Sequence, residues 1–318
     1  MSSTTPPPSA TGDGIVVRDL HRAFGTVRAL DGVGLTARAG AVTALVGPNG
    51  SGKTTLLLVL AGLLVPDRGS VSVAGHDPVA HGPAARARTG WMPDTFGTWD
   101  SLTAREVLLT FAATYRLSPA AAAARATDLL ATVHLSEYAD RPASVLSRGQ
   151  KQRLGLARAL VHDPSVLLLD EPASGLDPRS RVDLRILLRR LADEGRTVLV
   201  SSHVLSELDE MADDAVFLSK GRTVVPDAAA TGTTSWHVRA LSLDALTTWL
   251  TSTGATWQPD GAAVTQTGAG GVLLDMDGDD DAARLVRDAV AAGVPLVSLV
   301  PAAGTLEQAY LTLEEERR

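Results

Sequence analysis

The stretch with the most specific chemistry is residues 47–54, which read GPNGSGKT and include three glycines. The apolar residues 41–46 before it predict a buried strand, and residues 55–64 after it predict a helix. The glycines let the backbone turn tightly and direct its N–H groups toward an anion. Lys53 supplies a positive charge for phosphate oxygens, and the Thr54 hydroxyl can bind Mg²⁺. This order predicts a P-loop that binds a nucleoside triphosphate.

Every position of this loop is a candidate nucleotide contact. Together with the helix residue that follows, the predicted contacts are Gly47, Pro48, Asn49, Gly50, Ser51, Gly52, Lys53, Thr54 and Thr55. The alternative is a glycine-rich turn that binds nothing. The flanking strand and helix favour nucleotide binding, because the phosphates then lie at the positive end of the helix dipole.

A pair of acids, Asp170 and Glu171, follows the wholly apolar residues 166–169. Ligands of α/β sheets bind at the carboxyl ends of strands, and adjacent buried carboxylates there are costly unless something uses them. Asp170 is therefore predicted to lie near a Mg²⁺ held by Thr54, through a water molecule. Glu171 is predicted to polarise the water that attacks the γ-phosphate. The alternative is an acid pair that only caps the next loop.

The composition limits the class of protein. With 318 residues, 45% of them hydrophobic, the chain can form one large domain or two modest domains with ample core. The net charge of −7 disfavours a general nucleic-acid-binding protein, so no nucleic acid is expected as a partner. The absence of cysteine excludes disulfides, cysteine–zinc sites and thiol catalysis.

No apolar stretch approaches the roughly 18 residues needed to cross a bilayer. Residues 1–14 are rich in Ser, Thr and Pro and lack an apolar core, which predicts a disordered lead and not a signal peptide. The expected localisation is cytoplasmic. Any work at a membrane would then need a separate subunit that spans it.

Strands alternate with helices over residues 15–225, which predicts an α/β fold with a parallel sheet. Residues 15–20 are expected to form an edge strand, and residues 27–35 a second strand with a turn at Asp31-Gly32. Residues 95–160 predict an all-helical insert. Its first helix is marked by the capping-box pattern of residues 103–106.

Residues 226–234 are small and polar and predict a linker. Beyond it, residues 235–318 show strands and helices in the order of a split β-α-β unit, which predicts a small α+β accessory domain. The acidic residues 277–281 could suggest calcium, but they lack EF-hand spacing. A solvated helix N-terminus is the preferred interpretation.

Residues 146–150 read LSRGQ, and Ser147 is an acceptable N-cap for the helix predicted at residues 147–160. Beside a P-loop, this segment resembles the LSGGQ signature of the nucleotide-binding subunits of ABC transporters. The resemblance implies a head-to-tail dimer in which Ser147, Gly149 and Gln150 contact the ATP held by the other subunit's P-loop. Arg148 replaces the first glycine of the signature, which should leave the Ser147 hydroxyl and the Gly149 backbone available.

The resemblance also implies roles for residues outside these motifs. Phe24 matches the aromatic that stacks on adenine, although burial against the hairpin is an alternative. Asp177 ends a D-loop-like segment, and His203 matches the switch histidine at the γ-phosphate, where a structural histidine is the alternative. Asp94 stands where the family has a glutamine that binds Mg²⁺. Aspartate is shorter than glutamine, but an acidic residue still suits a Mg²⁺-bound water.

The family resemblance implies a P-loop NTPase cassette with a mixed, largely parallel sheet, an antiparallel β subdomain and an all-helical subdomain. It implies an ATPase that uses ATP and Mg²⁺ and pairs with a second copy of the subunit. It also implies a separate membrane permease as partner, which would hold the subunit at the inner face of the membrane. The accessory domain resembles the C-terminal extension of subunits that serve ABC-2 type exporters, including drug and antibiotic pumps. Residues 304–310 look like the closing helix of that extension. The alternatives are an ABC ATPase acting on ribosomes or DNA, and an importer subunit.

Overall fold

The computed structural model describes residues 14–95, 97, 101–202, 208–224, 234–259 and 271–302. The chain divides into two compact units, Met1–Val225 and Pro226–Arg318. The predicted linker and the motif at residues 304–310 fall mainly or wholly outside the described residues. So do His203 and residues 1–13.

The first unit contains two sheets. The strands in chain order are β1 (Ile15–Phe24), β2 (Val27–Ala37), β3 (Val42–Val46), β4 (Arg68–Val73), β5 (Thr89–Met92), β6 (Val166–Asp170), β7 (Thr197–Ser202), β8 (Asp214–Ser219) and β9 (Arg222–Val224). The larger sheet has the order β5-β6-β7-β3-β8-β9 and is parallel except for the β8–β9 hairpin. Strands β3, β6 and β7 are buried along their whole length, as expected for strands covered on both faces. The predicted parallel α/β core is confirmed.

The smaller sheet has the order β2-β1-β4, with both pairs antiparallel. The prediction of an edge strand at residues 15–20 is wrong, because β1 is the central strand of this sheet. The predicted turn at Asp31-Gly32 is also wrong. These two residues lie inside β2, where the register to β1 shifts between Leu20 and His21 and Gly32 adopts φ 85°. Gly32 therefore accommodates a β-bulge in a continuous strand.

The longer helices among the described residues of this unit are α1 (Lys53–Leu60), α2 (Gly82–Arg88), α3 (Ala104–Thr114), α4 (Pro119–Thr132), α5 (Arg148–Ala159) and α6 (Pro178–Asp193). Helix α3 begins with the predicted capping box, in which Thr103 and Glu106 bond each other's backbone N–H groups. Helices α3 to α5 and two short 3-10 helices form the helical insert. Helix α2 was not predicted, because its sequence, GPAARAR, carries no apolar periodicity.

Within its described residues, the second unit has a four-stranded antiparallel sheet and two helices. Its elements are β10 (Thr234–Ala240), α7 (Leu243–Ser252), β11 (Trp257–Pro259), β12 (Gly271–Met276), α8 (Asp279–Ala291) and β13 (Leu296–Pro301). The strand order is β11-β12-β10-β13, so β12 lies between the two strands that α7 connects. This is the predicted split β-α-β arrangement. It has its own core, which includes Leu246 and Leu250.

Candidate active site

The glycines of the loop at residues 47–54 are required by its close surroundings. A Cβ at Gly47 would lie 2.4 Å from the Leu218 carbonyl oxygen, and one at Gly52 would lie 2.5 Å from the Ala29 carbonyl oxygen. Gly50 and Gly52 also adopt φ values of 78° and 108°, in the left-handed region that favours glycine. The loop thus fits between the parallel sheet and β2 only with glycine at these positions.

The loop is also bonded to the hairpin that joins β8 and β9. The N–H of Gly221 donates to the Ser51 carbonyl oxygen at 3.0 Å, and the Asp31 N–H donates to the Gly221 carbonyl oxygen at 2.7 Å. A Cβ at Gly221 would approach the Ala29 carbonyl oxygen to 2.8 Å. Backbone contacts therefore connect the loop, the hairpin and β2.

Lys53 is buried at the start of α1. Its Nζ donates to the carbonyl oxygens of Gly47, at 2.6 Å, and Pro48, at 3.2 Å. Burial lowers the pKa of Lys53, while the charges of Glu171 and Asp170 oppose that shift. A buried ammonium whose hydrogen bonds, among the described residues, go to neutral carbonyls is well suited to an anionic phosphate group.

Asp170 brings the second motif to the loop, because it ends β6 at the carboxyl edge of the sheet. Its carboxylate is 2% exposed and accepts the Thr54 hydroxyl at 2.9 Å and the Ser201 hydroxyl at 2.6 Å. Ser201 was not predicted. The parallel pairing of β6 with β7 puts Ser201 directly opposite Asp170, and no local sequence pattern reports that register.

The residues around Asp170 fit a bound Mg²⁺. A hydroxyl and a carboxylate meet there, and both offer oxygen ligands. Mg²⁺ that is bound beside phosphates usually has only one or two protein ligands. Within the described residues, no group of three or more His, Asp or Glu side chains could hold a metal ion by itself. The remaining ligands would therefore come from the nucleotide and from water.

Glu171 follows in a strained turn. Its φ is 51°, and its N–H bonds both the hydroxyl and the carbonyl oxygen of Ser201, at 3.1 and 3.2 Å. Its own carbonyl oxygen accepts the side chain of the buried Gln152 at 3.0 Å. Both peptide groups of Glu171 are thus fixed, which is how a backbone outlier at a functional site is maintained. Gln152 was not predicted either.

The LSRGQ segment forms the start of α5. Ser147 is its N-cap: the Gln150 N–H donates to the Ser147 hydroxyl at 3.2 Å, and the Gln150 side chain accepts from the Ser147 N–H at 2.8 Å. A Cβ on Gly149 would lie 3.1 Å from the Gly175 carbonyl oxygen. Ser147, Gly149 and Gln150 contact one another, residues 175–176 and the next residues of α5, where the Lys151 N–H donates to the Ser147 carbonyl oxygen at 2.9 Å. None of these contacts joins them to the loop at residues 47–54 within the described chain.

Three further candidates have different environments. Phe24 is 49% exposed at the end of β1, with the Arg22 guanidinium 4.8 Å from its ring centre. Asp94 is exposed two residues beyond β5. Asp177 caps α6 through the hydroxyl and the N–H of Ser180, and these bonds lower its pKa. The exposure of Phe24 does not support the alternative of a ring buried against the hairpin.

The chain is similar to known proteins in both sequence and fold. A family model described as ABC transporter matches residues 30–174. The Nod factor export ATP-binding protein I of Burkholderia lata is 39% identical over 211 residues, which are 66% of this chain and 69% of that protein. A daunorubicin resistance ATP-binding protein of Streptomyces coeruleorubidus is 38% identical over 215 residues, 68% of each chain. A dimeric ATP-binding cassette solved in a post-hydrolysis state with ADP and Pi has a TM-score of 0.61 and 28% identity, covering 66% of this chain and 97% of the other.

The fold and the site define a P-loop ATPase whose sheet carries a helical insert. The chain belongs to the family of ATP-binding proteins of ABC transporters. It binds ATP, and its activity is the ATP hydrolysis that this family couples to transport. Among the described residues, no helix is both long and apolar enough to span a membrane.

Proposed function

We propose that this chain is the ATPase subunit of an exporter and drives a separate membrane permease, which holds it at the inner face of the membrane. The observation that carries the proposal is the 2.9 Å hydrogen bond from the Thr54 hydroxyl to Asp170. It joins the phosphate-binding loop to the acids at the end of β6. This is the pairing that phosphoryl transfer needs, because the outer phosphates, the metal and the water meet there.

Each site residue has a proposed role in hydrolysis. Lys53 neutralises charge on the outer phosphates, and His203 contacts the γ-phosphate. Glu171 accepts a proton from the water as the water oxygen bonds to the γ-phosphorus and the bond to the ADP oxygen breaks. Thr54 and Asp170, with Asp94 through water, would hold a Mg²⁺ ion, which neutralises phosphate charge when bound. Phe24 stacks on the adenine ring.

Hydrolysis is proposed to occur in a head-to-tail pair of two copies of this chain. In each site, residues 47–54 of one copy hold the ATP, and Ser147, Gly149 and Gln150 of the other copy contact its γ-phosphate. The accessible N-terminus of α5 supports this, because its N–H groups and dipole favour a phosphate. The dimeric form of a solved cassette with this fold also supports it. Asp177, at the end of the D-loop segment, lies near the same interface.

Export is favoured over the other two functions by the relatives and by the second unit. Both relatives described above carry export or resistance in their names, so the proposed cargo is a drug, an antibiotic or another hydrophobic or cell-envelope compound. An importer subunit of the sugar type is expected to carry an all-β extension, whereas this second unit is α+β. The net charge of −7 disfavours a role on ribosomes or DNA.

The role of Glu171 is tested by Glu171→Gln, which keeps the shape of the side chain and removes the proton acceptor. We expect ATP to bind, hydrolysis to fall at least about 100-fold, and a dimer to persist with ATP in size-exclusion chromatography. Glu137→Gln makes the same charge change on an exposed residue and should hydrolyse ATP normally. Hydrolysis by Glu171→Gln at the parent rate would show that Glu171 is not the base.

The permease and the direction of transport need separate tests. The tagged full chain should co-purify from detergent-solubilised native membranes with one integral membrane protein that raises its ATPase rate. Co-purification with ribosomes or DNA instead would contradict the proposal.

Loss of the chain should make cells more sensitive to amphiphilic compounds such as daunorubicin, whereas an importer predicts equal or lower sensitivity.

A further inference from the structure

Arg148, the residue that departs from the signature pattern, contacts the D-loop segment of the same chain. Its guanidinium donates to the Ser174 hydroxyl at 2.7 Å. Its aliphatic part covers Gly175, where an added Cβ would lie only 2.8 Å from Arg148 Cδ. A glycine in the place of Arg148 could make neither contact. The departure from the pattern therefore adds a connection that the usual signature lacks.

Gln152 makes a second connection from the same helix. It is buried, and its Nε2 donates to the Glu171 carbonyl oxygen at 3.0 Å. Arg148 and Gln152 are four residues apart and so lie on one face of α5. Between them, Gly149 approaches the Gly175 backbone so closely that a Cβ would lie 3.1 Å from its carbonyl oxygen. The first turns of α5 thus contact both ends of residues 171–175.

We propose that Arg148 is a positioning residue which, with Gln152, fixes residues 171–175 to the signature helix. The inference rests on the proposed dimer, in which the N-terminus of α5 contacts the ATP held by the other copy. Because the same helix is bonded to Glu171 and Ser174, that contact and the placement of Glu171 change together. Arg148 thereby couples the two ATP sites of the dimer.

The positioning role of Arg148 should show in the rate of hydrolysis and not in folding stability. Arg148 is exposed, and one exposed hydrogen bond to a hydroxyl contributes little to folding stability. A small displacement of a proton-accepting carboxylate, in contrast, slows the chemical step strongly. Loss of Arg148 should therefore lower kcat and the cooperativity between sites, while the melting temperature and the affinity for ATP stay close to the parent values.

The test uses the purified full chain, or its complex with the permease, and follows ATP hydrolysis over a range of ATP concentrations. We expect Arg148→Ala to lower kcat about tenfold and the Hill coefficient toward about 1, with KM within about twofold. Arg148→Lys retains a donor and should recover part of the rate. Arg38→Ala removes an arginine whose partner, Asp214, lies at the start of β8, and should change neither kcat nor the Hill coefficient.

A double variant identifies the contact itself. If Arg148 acts through Ser174, the variant with both Arg148→Ala and Ser174→Ala should be no slower than the slower single variant. Rate losses that multiply, or a parent-like kcat and Hill coefficient for Arg148→Ala, would overturn the inference. So would a lower melting temperature with an unchanged rate per folded molecule. If the parent itself does not hydrolyse ATP, the proposed function fails and the inference fails with it.

Discussion

Asp170 is the single side chain on which the assembled site depends most. It is almost fully buried, and the two hydroxyls that it accepts come from α1 and β7. A buried carboxylate without such partners would be strongly destabilising. Ser201 has a second contact, because its hydroxyl also accepts the Glu171 N–H. One hydroxyl therefore helps to place both acids.

Ser201→Ala should test this arrangement. We expect kcat for ATP hydrolysis to fall about tenfold and the free energy of unfolding to fall by about 1–2 kcal/mol, because a buried carboxylate loses one hydrogen bond. Steady-state hydrolysis and urea denaturation measure the two effects. Ser165→Ala is the matched control, since the Ser165 hydroxyl is buried without a hydrogen-bond partner in the described chain. Equal effects of the two substitutions would contradict the role of Ser201.

Sequence alone predicted Lys53, Thr54, Asp170 and Glu171 as neighbours, because each belongs to a short motif in a recognisable context. In the structure the Thr54 hydroxyl donates directly to Asp170, and the predicted roles of both residues at Mg²⁺ stay predictions. Ser201 and Gln152 escaped prediction because each acts across strands or helices that are distant in sequence. For His203, which lies outside the described residues, the predicted role stays a prediction.

Elements that depend on local sequence were predicted correctly, whereas elements that depend on distant pairing were not. The capping box of α3 and the N-cap of α5 are local, so residues three apart were enough to identify them. The central position of β1 depends on pairing with β4, about 50 residues later, and no local pattern reports it. The Asp31-Gly32 pair was predicted as a turn, whereas Gly32 adopts its positive φ inside a strand. Whether such a pair turns the chain or bulges it depends on the neighbouring strand.

Three elements meet at His162, which follows α5. Its ring stacks on Tyr115 after α3, with ring centres 3.6 Å apart, and its Nε2 lies 3.1 Å from the Thr89 carbonyl oxygen in β5. Burial lowers the pKa of His162 from 6.5 to about 4. The neutral ring, with its proton on Nε2 donating to Thr89, therefore belongs to the folded state.

This pKa predicts a loss of stability in mild acid. Below pH 6.5 the unfolded chain binds a proton that folded His162 does not bind, so stability falls between pH 6.5 and about 4. At pH 5 the loss from this group should be up to about 2 kcal/mol, because partial solvent access reduces the full effect. His162→Phe keeps a stacked ring and removes the titration.

Thermal unfolding at pH 7.5 and pH 5 measures this difference. Carboxylates with lowered pKa values titrate mainly below this range, so they contribute little to the comparison. The melting temperature of His162→Phe should change by several degrees less than that of the parent between the two pH values. An identical pH dependence would show that His162 is not responsible.

For the chain as a whole, the two units have separate hydrophobic cores. Leu246→Ala should therefore destabilise the second unit by about 2–5 kcal/mol, because it opens a cavity at a fully buried position. ATP hydrolysis by the first unit should remain within about twofold of the parent rate. Three of the five tryptophans, Trp236, Trp249 and Trp257, belong to the second unit, so fluorescence can follow its unfolding.

The matched control is Leu241→Ala. Leu241 is 69% exposed, so this substitution should change the free energy of unfolding only slightly. A large fall in ATPase activity with Leu246→Ala would show that the second unit is needed for catalysis. That result would contradict the independence of the two cores. It would also indicate that the accessory unit regulates hydrolysis.

The Gly221 contacts have a consequence for which molecules the site accepts. They tie the phosphate-binding loop to β2, and β2 pairs with β1, which ends at Phe24. Under the proposed role of Phe24, the base and the phosphates are held by parts of the backbone that hydrogen bonds connect. The span between them is then set before ATP arrives, so neither part has to move to receive the nucleotide. Main-chain hydrogen bonds would then fix the distance between the base and the phosphate-binding loop, while Lys53 is left to contact the outer phosphates.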